Sequence, residues 1–152
     1  MGTFEYRHKR RVEFADTDMA GIAHFTAFFR YVEEAEHALL RAIGFSVHLA
    51  GEGFSVGFPR VSARCQYERP VKFEDEVEIH LWIHKKGAHS IVYQFNVTKT
   101  GKPIAKGEVA AICCRSYADG RIESALLPAA LDEKISQAPY PALEFKKESK
   151  KA

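Results

Sequence analysis

Asp16 and Asp18, followed by Gly21, are the residues of this 152-residue chain whose types and spacing could most readily do chemistry. In an extended segment, side chains two residues apart point the same way, so this stretch can present two carboxylates to one face. A carboxylate held there is a nucleophile or a proton acceptor. An apolar periodicity that begins at Phe28 predicts a helix just downstream, and the first N–H groups of a helix lack intrahelical partners. An oxygen that turns negative during a reaction would find donors there. Gly21 permits a tight turn and leaves no side chain in the path of an incoming molecule. Taken alone, Asp-x-Asp-x-x-Gly also occurs in turns and cation-binding loops; its position between a strand and a long helix sets it apart. No further His, Asp or Glu follows at ligand spacing, so no metal is expected.

The elements that must position these residues follow from pattern. Phe4 to Phe14 reads as a heavily charged strand. Phe28, Val32, Ala35, Leu39 and Ala42 alternate steps of four and three, one face of an amphipathic helix, and Gly44 suits a left-handed stop. Beyond Gly51, Gly53 and Gly57 the period becomes two. Val61, Ala63, Cys65 and Tyr67, and then Val77, Ile79, Leu81 and Ile83, alternate with polar residues as half-buried strands do. Further strands are expected around Ile91–Val97 and Ile104–Cys114, separated by turn signals at Gly87, 99–103 and Asp119-Gly120. The face Ala105, Gly107, Val109, Ala111 and Cys113 is nearly all small, so the helix is expected to lie over it. Pro128 fits the first position of a short closing helix carrying Leu131 and Ile135. The fold class is α+β, one helix against a curled antiparallel sheet.

A formal net charge of +2 with scattered Lys and Arg argues against nucleic-acid binding. No apolar run is long enough for a membrane span, and the basic N-terminal stretch lacks a signal-like apolar segment, so a cytoplasmic location is expected. Residues 1–140 read as one domain and 141–152 as a flexible basic tail. Cys65, Cys113 and Cys114 indicate neither a disulfide framework nor a zinc site. Glu33, Glu34 and Glu36 read as a solvated or subunit-facing surface, with Glu33 and Glu34 pairing Arg30 and His37. His80, His84 and His89 read as structural or surface residues. Phe25, Phe28, Phe29 and Phe54 suit either an acyl tunnel or the core.

The stretch RVEFADTDMAGIAHFTAFFRYVEEAEHALLRAIG, Arg11 to Gly44, resembles the hotdog-fold thioesterases of the 4-hydroxybenzoyl-CoA thioesterase family, including acyl-CoA thioesterases associated with the Tol–Pal system. Phe14, Asp16, Asp18, Gly21, Ile22 and the helix through Glu33, Glu34 and Ala35 carry the likeness. It implies a hotdog fold, a five-stranded antiparallel sheet wrapped around one long central helix, with a short C-terminal helix. It also implies hydrolysis of an acyl-CoA to free acid and CoA without a cofactor. Asp18 would be the catalytic carboxylate, either a nucleophile forming a mixed anhydride or a general base on water. The backbone N–H of Phe25 would be the oxyanion donor, and Asp16 would fix the loop. Gly21 would border the substrate. Lys85 and Lys86 match the family's basic turn for the CoA phosphates, with Arg60, Arg64 and Arg69 as further candidates. Many relatives carry Tyr-His where this chain has His24-Phe25, and Ala27 replaces an Asn or Ser. His24 is therefore open between an acid/base role and a polar wall residue. One helix on one sheet leaves edges to cover, and relatives do so as homodimers, with a tetramer also possible. Acyl carrier protein as the acyl donor, and a non-catalytic acyl or CoA-binding module, are the alternatives.

Overall fold

The computed structural model describes residues 2–147. Its central element is helix α1, Ala27–Ala42. Phe28, Val32, Ala35 and Leu39 are all buried, so the stripe read from the spacing is the stripe that faces the core. Tyr31, Ala38 and Leu40 widen it. Gly44 takes φ +87°, and the Gly44 and Phe45 N–H groups bond the carbonyls of Arg41 and Leu40, which is the expected glycine stop.

The strands are β1 (Glu5–Arg11), β2 (Leu49–Ala50), β3 (Phe54–Gly57), β4 (Arg60–Tyr67), β5 (Glu76–Lys86), β6 (Ser90–Lys99), β7 (Lys102–Ile112), β8 (Cys114–Tyr117) and β9 (Ile122–Ser124). Five of them form the main antiparallel sheet, in the order β1-β5-β6-β7-β4. Val77, Ile79, Leu81 and Ile83 of β5 and Ile91, Tyr93, Phe95 and Val97 of β6 are buried on its inner face. The β6–β7 hairpin closes through Thr100 and Gly101, both at positive φ, the backbone that a tight turn between right-twisted strands requires. A second sheet, β2-β3-β8-β9, was not anticipated; β8 follows β7 after the buried Cys113.

Three expectations need correction. Strand β1 stops at Arg11, paired with Glu76, and Phe14–Asp16 forms a 3-10 turn rather than strand. Helix α1 comes nearest to β1 and β5, not to the small face of β7. The space above Gly107 is taken by Phe95, whose ring would lie 2.4 Å from a Cβ added there. That leaves a small cavity between α1, β4 and β7. Finally, Glu36 is buried against Arg60 instead of solvated, while Glu34 pairs with Arg10 and Arg30 with Asp16.

Pro128 caps the short helix α2, Ala129–Asp132, and Leu131 and Ile135 are buried. From there the chain crosses the outer face of the main sheet. The Ala138 N–H bonds the Ile83 carbonyl, the Leu143 N–H bonds Gln94 Oε1 at 3.0 Å, and Gln66 exchanges two hydrogen bonds with the Lys146 backbone. Trp82 and Gln94 point away from the core yet are only 3% and 2% exposed, because this strap covers them. The stretch 141–152, expected as a flexible basic tail, thus lies along the sheet as far as Lys147; residues 148–152 fall outside the described residues.

Candidate active site

Asp16 organises the loop between β1 and α1. It is 4% exposed, and its carboxylate accepts hydrogen bonds from the Glu13 N–H, Arg10, Arg30 and the Tyr31 hydroxyl, each at 2.9 Å. Burial by itself would raise its pKa. The backbone N–H, the two guanidinium groups and the phenol favour the ionised form more strongly and hold it below the usual carboxylate range. Tyr31 is pushed well up from the usual phenol value by burial and then by the Asp16 charge. The Asp16 carbonyl also takes the His24 N–H at 2.7 Å, so one residue ties the strand, the loop and the helix together.

Asp18 begins a tight turn. Its N–H bonds the Ile22 carbonyl, its carbonyl receives the Gly21 N–H, and Oδ1 receives the Ala20 N–H at 2.9 Å. Gly21 sits at φ +78° with open space around it, the conformation for which glycine is needed. The turn is pinned from outside by the Ala23 N–H on the Val71 carbonyl and by a bridge between Ile22 and Lys72. Asp18 is half-buried, and among the described residues its Oδ2 takes no hydrogen bond.

At the helix start, the Phe25 N–H makes no hydrogen bond among the described residues, while the Phe25 carbonyl accepts the Tyr67 hydroxyl at 2.6 Å. Tyr67 therefore anchors this peptide to the end of β4. The His24 ring caps the helix: Nδ1 lies 2.7 Å from Thr26 Oγ1 and accepts the Thr26 N–H at 3.2 Å. A backbone N–H can only donate, so the neutral ring carries its proton on Nε2.

Asp18, Ile22, Phe25, Phe28, Tyr67 and Pro70 border a mostly apolar cavity of about 420 Å³, within the ordinary range for small-molecule sites. A second opening that Asp18 also borders, about 630 Å³, is edged by Phe14, Met19, Gly21 and Phe73. Three of its apolar edges, Phe14, Met19 and Phe73, are 78%, 106% and 47% exposed. A carboxylate that borders two largely apolar openings, one of them shared with an N–H that makes no hydrogen bond among the described residues, can attack a carbonyl or activate water against it. Burial pushes the Cys65 thiol up to about 11 and that of Cys113 upward as well, so neither of these two is a rival nucleophile. Among the described residues no group of His, Cys, Asp and Glu is placed to hold a metal.

The basic candidates do not converge on Asp18 within one chain. Lys85 and Lys86 end β5, whereas the Asp18 loop adjoins its start, ten residues or roughly 33 Å away along the strand. Lys86 is bonded to the side chain and carbonyl of Asp132. Arg64 stacks on Phe145 at 3.6 Å on the outer face, Arg69 bonds the Pro103 carbonyl, and Arg60 is held by Glu36. Tyr31 and Tyr67, which fix the two ends of the loop, escaped the sequence reading because their apolar rings fit the core pattern equally well.

The thioesterase-like superfamily model matches residues 12–135. The chain belongs to that family and is a thioester hydrolase of the hotdog fold. It is 27% identical over 113 residues to a 1,4-dihydroxy-2-naphthoyl-CoA hydrolase of Synechococcus elongatus, covering 74% of this chain and 83% of that one. Among solved structures it is similar to a gentisyl-coenzyme A thioesterase, with a TM-score of 0.69 and 26% identity over 83% of this chain and 98% of the other. The 1,4-dihydroxy-2-naphthoyl-CoA thioesterase Slr0204 of Synechocystis shares the fold at a TM-score of 0.74 and 21% identity, over 90% and 99% of the two chains. Among the described residues no helix is long and apolar enough to cross a membrane.

Proposed function

We propose that the chain hydrolyses hydroxylated aroyl-CoA thioesters and that Asp18 is the reacting carboxylate. The observation that carries this reading is that Asp18 and the unpaired Phe25 N–H belong to one cavity at the start of α1. The thioester oxygen meets the Phe25 N–H and the positive end of the helix, and Asp18 faces the carbonyl carbon. Either Asp18 adds to that carbon and expels the CoA thiolate, leaving an anhydride that water opens, or it takes a proton from a water that adds in its place. The aroyl group lies among Phe28, Tyr67 and Pro70. The substrate class comes from two relatives above 25% identity that are named for hydroxylated aroyl-CoA substrates. His24 is assigned to shaping the helix start, because its Nδ1 is occupied by Thr26.

Phenylalanine is not required at position 25, only its N–H. Phe25→Pro removes the donor without breaking a fold hydrogen bond and is expected to lower kcat by about 10²–10³, the usual cost of one oxyanion donor. Phe25→Ala keeps the donor and should stay within about tenfold of wild type. Equal losses in both variants would assign the effect to the ring and remove the oxyanion role.

Strand β4 is a sheet edge whose residues are mostly exposed, with Val61 58% exposed. An uncovered edge beside an active site calls for a second copy. The protein is accordingly assigned as a homodimer joined β4 to β4, and light scattering should give twice the chain mass. Lys85, exposed at the far end of the sheet, is free for a CoA phosphate. A monomer with full activity would sink this arrangement.

A further inference from the structure

The strap over the outer face reaches all five strands of the main sheet. At one edge Tyr140 stands edge-on to Phe4 and Trp82, and its hydroxyl donates to Glu5 of β1 at 2.6 Å. The Ala138 N–H bonds Ile83 of β5, and the Leu143 N–H bonds Gln94 of β6. At the other edge the Arg64 guanidinium of β4 lies 3.6 Å from the centre of the Phe145 ring, and Lys106 of β7 lies 6.0 Å from it. Gln66 of β4 completes the contact with two hydrogen bonds to Lys146, from its Nε2 to the carbonyl at 2.7 Å and from the Lys146 N–H to its Oε1 at 2.9 Å. Chain ends fray unless they are tied down. Directional contacts spread over five strands make this one a brace.

The brace matters most at β4. This strand is an edge of the sheet, paired with β7 alone among the described residues. Gln66 and Tyr67 are successive residues of it, so their side chains leave on opposite faces. Gln66 points outward to the strap; the Tyr67 ring points inward, edge-on to Phe28 of α1 at 5.4 Å. The Tyr67 hydroxyl donates to the Phe25 carbonyl at 2.6 Å. Phe25 is 61% exposed, so packing holds it weakly and hydrogen bonds on its two flanking peptides must fix it. The His24 carbonyl takes the Ala27 N–H at 2.8 Å, a bond local to the helix start. The Phe25 carbonyl takes Tyr67, which comes from 42 residues away and depends on where the end of β4 lies.

We infer that the C-terminal strap is a positioning element of the active site: Phe145 and Lys146 clamp the outer side of β4, and Tyr67 carries that restraint to Phe25, whose N–H meets the thioester oxygen. The last step rests on the oxyanion role proposed for Phe25. A shift of about 1 Å near the reacting atoms can cost on the order of 10² in rate, so one hydroxyl and one glutamine on the far face of the sheet gain leverage on turnover. The single proton of the Tyr67 hydroxyl is already given to the Phe25 carbonyl. Tyr67 therefore acts through that residue and is not a donor to the substrate.

Steady-state hydrolysis of 4-hydroxybenzoyl-CoA tests the chain of contacts. Tyr67→Phe removes one oxygen and keeps the ring; kcat should fall by about 10- to 100-fold while KM stays within about threefold of wild type. Gln66→Ala and Phe145→Ala should each lower kcat by about three- to tenfold, again at nearly constant KM. Neither loss should add to that of Tyr67→Phe in the double variants, because the contacts act in series, and in the Phe25→Pro background Tyr67→Phe should cost no more than about twofold. Wild-type kcat in both Gln66→Ala and Phe145→Ala, losses that multiply with Tyr67→Phe, or a Tyr67→Phe loss that persists in full in the Phe25→Pro background would each overturn the inference while leaving the oxyanion role standing. No turnover by wild type, or wild-type turnover by Phe25→Pro, would remove the proposed chemistry and this positioning role together.

Discussion

Asp16→Ala is expected to lower stability by about 3–5 kcal/mol, the usual cost of removing one partner from a buried charged network. The melting temperature should fall by on the order of 10 °C for a chain of this size. The substitution takes the acceptor from the buried Tyr31 hydroxyl and from Arg10 and Arg30 together. It also frees the loop that carries Asp18, so turnover should fall as well. The pH dependence has a definite sign. The folded-state pKa of Asp16 is depressed, so its contribution is present above the unfolded value of about 4 and disappears as pH drops through the lower folded value. The gap in melting temperature between wild type and Asp16→Ala should therefore be full at pH 7 and narrow below about pH 4. A gap that is small at neutral pH, or that widens in acid, would contradict the hub role.

Asp18→Asn and Asp18→Ala should behave in the opposite way. Among the described residues the Asp18 side chain takes only the Ala20 N–H, an interaction that an asparagine oxygen can reproduce. Stability should stay within about 0.5 kcal/mol of wild type for Asp18→Asn. Turnover should fall by about 10²–10⁴, the range for removing a positioned general base, with a nucleophilic role at or beyond the upper end. Two aspartates separated by one residue are thus expected to divide the work, one holding the loop and the other reacting. Melting curves and kcat measured on both variants resolve that division.

How much of this was readable in the sequence depends on the range of the interaction involved. Helix α1 was legible to within a residue or two, because its apolar spacing and Gly44 are local signals. The alternation in β5 and β6 was equally plain. The Asp-x-Asp-x-x-Gly turn was also legible, since Gly21 needs positive φ for reasons confined to the turn itself. What escaped were partners distant in the chain. Glu36 looked like one more surface glutamate because Arg60 lies 24 residues away. The strap over Trp82 depends on Gln66 and Gln94 bonding residues 80 and 49 positions later, and no local pattern records such pairings. The separation of Lys85 and Lys86 from Asp18 followed from sheet topology, which fixes the end of the sheet each hairpin occupies.

The account turns on Asp18, and thiol release from a panel of aroyl-CoA and fatty acyl-CoA thioesters tests it most directly, with wild type and Asp18→Asn assayed side by side after matching melting curves. The expected result is hydrolysis of hydroxylated aroyl-CoA by wild type and a loss of about 10²–10⁴ in Asp18→Asn at unchanged stability. Turnover by Asp18→Asn at the wild-type rate would contradict it.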